Sequence, residues 1–199
     1  MTGRLRRTET LLMIAAMLAA ALAGCRRDPG PEALRTAWTQ IRARAFDEAR
    51  PLIRAYLAWH PDDASAHYAL GQCYLHQKDV NTTLAKGEFE TAHHFFRKNG
   101  DLGVLPPEMT PEQFQSALHR DIALALMRAL YEGDGRGIPG ALMLSVLDDA
   151  LGHAREGLRF DPSSEFLQEM ERSLEALKRG EPSPGPLPDP EAEPQEITT

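Results

Sequence analysis

The chain has 199 residues, of which 42% are apolar and 26% charged, with a formal net charge of −7 at pH 7. This length is enough for one domain with a buried core, and the acidic balance argues against a nucleic-acid binder, which usually presents a basic face. Aromatic residues make up only 7%, while leucine and alanine are plentiful, so the composition favours helices over a β-sandwich.

Residues 1–24 have the layout of a secretory signal peptide. Three arginines within the first seven residues precede an apolar run over residues 11–23. The run gives about 20 Å of helix against a hydrocarbon core of about 30 Å, so a transmembrane anchor is the weaker interpretation. The segment Leu22-Ala23-Gly24-Cys25 resembles the lipobox of bacterial lipoproteins. The alternative is a chance cysteine close to an ordinary cleavage site.

The lipobox resemblance implies that the chain is cut before Cys25, which then carries fatty acyl chains such as palmitate. Several acyl chains on one cysteine make an effectively permanent anchor. The resemblance therefore implies a cell-envelope protein at the cell membrane or outer membrane, facing the periplasm or the exterior. In lipoproteins, an aspartate directly after the cysteine favours retention in the inner membrane. This chain has Arg26 at that position, so the resemblance favours the outer membrane. Residues 25–32 are expected to form a lipidated linker, and Cys73 would be the only remaining thiol.

Two helices and a proline turn follow the linker. Apolar spacing predicts a first helix over residues 33–44 and a second from residue 46 to residue 60, where Pro61 stops it. Aspartates at positions 62 and 63 can cap a third helix that begins near Ala64. Cys73 lies on the apolar face of that helix and is predicted to be a buried, small hydrophobic residue.

The residues on both sides of this turn resemble the tetratricopeptide repeat (TPR), a helix-turn-helix unit of about 34 residues. Phe46-x-x-Ala49 is similar to the second half of one unit, and Leu70-Gly71-x-x-Tyr74 is similar to the first half of the next. Glycine at position 71 is expected to allow close approach of another element. The resemblance implies a stack of helix hairpins that binds other proteins.

The second hairpin departs from the spacing of the family. Its second-helix signature around Ala92 lies nine residues beyond position 83, which is the place expected one unit of about 34 residues after Ala49. Residues 79–86 are therefore an insertion, either a loop or an extension of the helix capped by Asn81. Gly100 is expected to close this helix in the left-handed conformation.

The rest of the chain predicts a third hairpin, a closing helix and a tail. Thr110 opens a helix to residue 131 with a capping box, and residues 140–160 carry an apolar face that includes Leu142. Ser163 or Ser164 caps a last helix, and residues 181–199, with six prolines and no basic residue, are expected to form a disordered tail. The sequence thus predicts an all-α fold, a right-handed TPR-like stack of about three antiparallel helix hairpins over residues 33–180 with a C-terminal capping helix.

The sequence shows no catalytic or metal-binding pattern. The histidines, among them the adjacent pair His93 and His94, match no zinc motif and are predicted to be separate surface or rim residues. No serine lies in Gly-x-Ser-x-Gly, and the glycine-rich turn at residues 133–137 lacks the lysine of a P-loop and the spaced acids of a calcium loop. We therefore expect no cofactor and no metal.

The TPR resemblance implies a partner-binding groove formed by the first helix of each unit. Counting from Pro61 places five residues in it, namely Trp38, Arg42, Tyr68, Gln72 and His76. Trp and Tyr often carry interface energy, although core packing is the alternative role for both aromatic residues. The predicted function is a membrane-anchored scaffold that binds another envelope protein. The alternative is an envelope hydrolase or peptidoglycan-active enzyme with a helical domain.

Overall fold

The computed structural model describes residues 27–100, 102–106, 109–132 and 140–181. Within these ranges the chain forms seven helices and no strand, and none of the helices is both long and apolar enough to cross a membrane. The helices are α1 (Gly30–Arg42), α2 (Phe46–Leu57), α3 (Ala64–His76), α4 (Thr82–Asn99), α5 (Pro111–Glu132), α6 (Gly140–Phe160) and α7 (Glu165–Lys178). The predicted signal peptide, Cys25, the glycine-rich turn and the tail beyond residue 181 lie outside the described residues.

Neighbouring helices pack as three hairpins in series, α1 with α2, α3 with α4 and α5 with α6. The hairpins are joined where α2 packs against α3 and α4 packs against α5, and α1 also contacts α3. The closing helix α7 packs against α6. The predicted all-α, TPR-like stack of hairpins is therefore confirmed.

The first helix begins at Gly30, three residues before the predicted start, so residues 30–32 belong to α1 and not to a linker. The Asp28 carboxylate accepts a hydrogen bond from the Gly30 N–H at 2.8 Å and fixes the entry into the helix. Pro31 is tolerated in the first turn because the N–H groups there have no partner within a helix. Pro29 and Pro31, within the predicted linker, are thus compatible with a helix start.

The turn between α2 and α3 forms as predicted, because local side chains satisfy its backbone. Asp63 caps α3 by accepting a hydrogen bond from the Ala66 N–H at 2.9 Å. The Tyr56 hydroxyl donates to the other oxygen of the same carboxylate at 2.8 Å. One aspartate therefore ties the end of the first hairpin to the start of the second.

Helix α3 lies at the centre of the stack, and 11 of its 13 residues are buried. A helix that is covered on all sides needs small or apolar residues around its whole circumference. Gly71 shows why, because a Cβ atom at this position would overlap the ring of Phe89 on α4. Cys73 is buried as predicted, and burial raises the pKa of its thiol to about 12, so this thiol is protonated and unreactive at neutral pH.

The insertion at residues 79–86 is mostly a helix extension. Helix α4 starts at Thr82, where the Asn81 side chain accepts a hydrogen bond from the Leu84 N–H at 2.9 Å. It ends at Gly100, which has the predicted left-handed conformation with φ of +67°. Only the residues before Asn81 therefore remain as a connecting loop in this insertion.

The third hairpin and the closing helix start at the predicted caps. Thr110 and Gln113 form the capping box, in which the Gln113 side chain accepts from the Thr110 N–H at 2.8 Å. Ser164, and not Ser163, caps α7. Leu142 was predicted to face the core and is instead exposed, because the first turn of α6 projects beyond the packed part of the stack and its buried face begins only at Leu147.

Candidate functional site

A groove opens between the first helices of the three hairpins, α1, α3 and α5. It encloses a cavity of about 410 Å³. Trp38 and Arg42 line it from α1, and Tyr68 and Gln72 line it from α3. Side chains of α5, the loop before α5 and the turn between α6 and α7 complete the lining, among them Met109, Gln113, Ser116, Arg120, Asp161 and Ser164.

The apolar wall of the groove consists of two packed aromatic rings. Trp38 is 4% exposed and Tyr68 is 3% exposed, and their ring centroids lie 6.0 Å apart. The indole N–H of Trp38 donates to the Val104 carbonyl at 3.0 Å, which fixes the plane of the ring. These two residues thus shape the groove but offer little of their own surface to a ligand.

The floor of the groove is a buried polar network centred on Asp121. This carboxylate is fully buried and accepts a hydrogen bond from the Tyr68 hydroxyl at 2.7 Å and another from the Gln72 side-chain amide. Arg120 donates its Nε–H to the same carboxylate at 2.8 Å and a terminal N–H at 3.2 Å. Because the buried carboxylate accepts hydrogen bonds from several donors, these bonds compensate for its loss of water, and they hold α3 and α5 in register.

The rim of the groove carries the side chains that a partner can reach. Arg42 and Gln113 are exposed on opposite sides, one on α1 and one on α5. Ile41 and Met109 are half-buried and add apolar surface between the polar groups. A half-apolar cleft with a few polar groups is the usual form of a binding site for a peptide or small ligand.

Four of the five predicted groove residues line the groove, and His76 does not. Its ring stacks on Phe46 at the start of α2, with the two centroids 5.6 Å apart. Residues 68, 72 and 76 were placed together by steps of four, but each such step turns about 40° beyond a full helical turn. After two steps the side chain of His76 has rotated about 80° away from the direction of Tyr68.

The sequence reasoning missed the contribution of α5. Asp121, Arg120 and Gln113 were not selected, because the insertion before α4 broke the count of residues from one unit to the next. The signal was present, since the capping box at Thr110 marks the start of the first helix of the third hairpin. Extending the groove to that helix would have selected the face that contains these residues.

The histidines were predicted to be separate residues at the surface or rim, but three of them are in contact. His93, His119 and His153 come from three different helices and meet in one cluster, which is a correction to that prediction. Among the described residues, no group of three or more His, Cys, Asp or Glu side chains is arranged to hold a metal ion. The serine hydroxyls Ser65 and Ser163 hydrogen-bond to aspartates and not to histidine rings.

A comparison with models of protein families tests the resemblance to the tetratricopeptide repeat. Residues 40–82 match the model of the tetratricopeptide repeat. The match runs from the end of α1 to the start of α4, and so it covers the second half of one hairpin and the first half of the next. The chain therefore carries TPR-like repeats, which generally mediate binding to other proteins. Comparisons with curated proteins and with solved structures give no match.

Proposed function

We propose that this protein is a lipid-anchored, TPR-like scaffold of the bacterial cell envelope, which binds a segment of another envelope protein in the groove between α1, α3 and α5. The observation that carries the proposal is the groove itself. Its walls come from the first helices of three successive hairpins, which is the surface through which a repeat stack presents side chains from several units to one ligand.

The chemistry of the rim indicates the kind of segment that binds. Arg42 and Gln113 offer hydrogen bonds from both sides, while Ile41 and Met109 accept apolar side chains between them. A cavity of about 410 Å³ holds a few side chains and not a folded domain. The partner therefore presents an extended or helical peptide with apolar residues beside polar or acidic groups.

The anchoring part of the proposal rests on the residues before α1. The Asp28 carboxylate lies 3.1 Å from Nε2 of His60, so the start of the described chain is held against the turn between α2 and α3. Cys25 is three residues earlier, which places it at most about 11 Å of extended chain from Asp28. A lipid on Cys25 would keep the hairpin stack close to the membrane surface.

Site-directed photocrosslinking in growing cells tests the function. A photoreactive amino acid replaces exposed Gln113 at the groove rim and, as the matched control, exposed Arg172 on α7, outside the groove. We expect a discrete adduct with one envelope protein from position 113 and no such adduct from position 172, measured by mass spectrometry of the full-length protein. Equal adducts from both positions, or none from position 113, would contradict groove binding.

A Cys25→Ser arm of the same experiment separates anchoring from binding. If the lipobox assignment is right, the variant accumulates as an uncut precursor, because the peptidase of lipoproteins acts on the lipid-modified form. Release of a soluble chain that is cut before residue 25 would refute the anchor, while leaving the adduct from position 113 as an independent result.

A further inference from the structure

Three histidines meet where the second hairpin packs against the third. His93 lies on α4, His119 on α5 and His153 on α6, and we name this cluster the histidine joint. The Nδ1 atoms of His119 and His153 lie 2.9 Å apart, which is hydrogen-bonding distance. The ring of His93 meets that of His119 edge-on, with the centroids 5.0 Å apart. The joint therefore connects all three helices through imidazole rings.

The surroundings of the joint are partly apolar. The ring of Phe160 stacks in parallel on that of His119, with the centroids 6.1 Å apart, and only 5% of the His119 surface is exposed. Charged groups of both signs interact with the joint. They are Lys86, Glu90 and Arg97 on α4, and Asp149 and Glu156 on α6. These charges partly offset one another and leave burial as the main influence on the rings.

The short contact between His119 and His153 limits how many protons the pair can hold. A hydrogen bond between two Nδ1 atoms requires a proton on one and a lone pair on the other, so the neutral pair is stable. The pair can take one further proton at a remote Nε2 atom. A second added proton must go to the accepting Nδ1, which breaks the hydrogen bond and places two cations side by side.

Burial acts in the same direction on all three rings. It lowers the pKa of His119 to about 4, with help from the neighbouring His153 and His93, while Glu156 opposes the shift. Burial also lowers the pKa of His153 and that of His93 below their ordinary values. Because the folded chain holds these rings neutral and the unfolded chain does not, the unfolded state binds more protons below pH 6.5, and stability falls as the pH falls.

We propose that the histidine joint is an acid-sensitive connection, which at neutral pH holds α5 to α6 within the third hairpin and supports their contact with α4 of the second, and which loosens on acidification to about pH 5. Helix α5 carries His119 beside the groove residue Arg120, so a loosened joint also disturbs the groove. An envelope location, which rests on the proposed function, would expose the joint to the pH outside the cell. Unfolding and titration of the purified chain test the joint without an envelope location or a bound partner.

The expected effect follows from the His119 ring alone. With a pKa of about 4 in the folded chain and the ordinary 6.5 in the unfolded chain, the unfolding constant rises about 30-fold between pH 7.5 and pH 5. His67 acts in the opposite direction. Burial disfavours its charged form, but hydrogen bonds to Glu88 and the Pro61 carbonyl outweigh this and raise its pKa, so its contribution to stability grows on acidification.

The test compares denaturant unfolding of the full chain at pH 7.5 and pH 5 in three forms. His153→Gln keeps an amide N–H for His119 and removes one titrating ring of the joint. His94→Gln is the matched control, because His94 is exposed, is adjacent to His93 and has its ring against that of Phe95. We expect the acid-induced rise in the unfolding constant to be smaller in His153→Gln, which has lost one ring whose pKa is lowered on folding, and to be unchanged in His94→Gln.

An equal rise in all three forms would overturn the proposal. Proton NMR titration of the histidine rings in the wild-type protein is a second test, and it does not require a folded variant. A His119 ring that titrates below pH 5.5 supports the joint, and one that titrates at pH 6.5 or above refutes it. Hydrogen exchange adds the location, since the amides of α4, α5 and α6 near the joint should lose protection at pH 5 before those of α1 and α2.

Discussion

Replacing Trp38 by alanine should lower the free energy of unfolding by about 3–5 kcal/mol, the cost of truncating a buried aromatic side chain to alanine. The indole is 4% exposed and packs against Tyr68, so its removal leaves a cavity in the wall of the groove. Little of the loss should come from the hydrogen bond to Val104. The Ser65 hydroxyl lies 3.0 Å from the same carbonyl and 2.9 Å from Oδ1 of Asp63, so in the variant its one proton can turn to the carbonyl while Asp63 still accepts from the Ala66 N–H.

The chain supplies a matched control in its second tryptophan. Trp59 is 49% exposed in the turn after α2, and Trp59→Ala should change stability by no more than about 0.5 kcal/mol. Urea unfolding followed by circular dichroism measures both variants. A loss below about 1 kcal/mol for Trp38→Ala would show that Trp38 is not part of the packed core and would return it to the set of partner-contacting residues.

Replacing Asp121 by alanine should cost about 3 kcal/mol or more, because it removes the acceptor of a buried network. The Tyr68 hydroxyl and the Gln72 amide would both lose this acceptor in the variant. The loss of its hydrogen bonds would cost less at Arg120, because 27% of its side chain is exposed and can bind water instead. Asp121→Asn keeps the volume and one acceptor oxygen, so we expect an intermediate loss.

Asp62→Asn is the control for the removal of a carboxylate. Asp62 is exposed in the turn before α3, and its substitution should stay within about 0.5 kcal/mol of wild type. Thermal and urea unfolding of the three variants rank the losses. Near-neutral behaviour of Asp121→Ala would contradict the account of the groove floor, in which this carboxylate fixes α3 against α5.

The sequence predicted those features that depend on neighbouring residues. Helix starts at Asp63 and Thr110 were correct because a cap is a contact over two or three residues, and its side chain alone identifies it. At Asn81 the sequence left a loop and a capped helix extension as alternatives, and the structure has the capped extension. The stop at Gly100 was correct for the same reason, since glycine readily adopts the left-handed conformation. Local chemistry therefore fixed most helix boundaries and, through them, the stack of hairpins.

The features that sequence reasoning missed depend on distant pairs or on exact rotation. Asp121 meets Tyr68 across 53 positions and His119 meets His153 across 34, and no local pattern relates such residues. His76 was placed wrongly because each step of four residues turns the side-chain direction about 40° beyond a full helical turn, and this excess adds up along the helix. Four of the five predicted groove residues line the groove, but the sequence could not show that three of them, Trp38, Tyr68 and Gln72, are almost fully buried.

The central claim is that the groove rim binds a partner, and the affinity of an Arg42→Ala/Gln113→Ala variant for the crosslinked partner tests it most directly. Both side chains are exposed, and the loss of the capping-box contact between Gln113 and the Thr110 N–H should cost only about 1 kcal/mol, so the variant should remain folded. Calorimetric titration should show an affinity about 10- to 100-fold weaker, as expected for the loss of about 1.4–2.7 kcal/mol, with no change for the control Arg172→Ala. An unchanged affinity in the double variant, or an equal loss in Arg172→Ala, would contradict the claim.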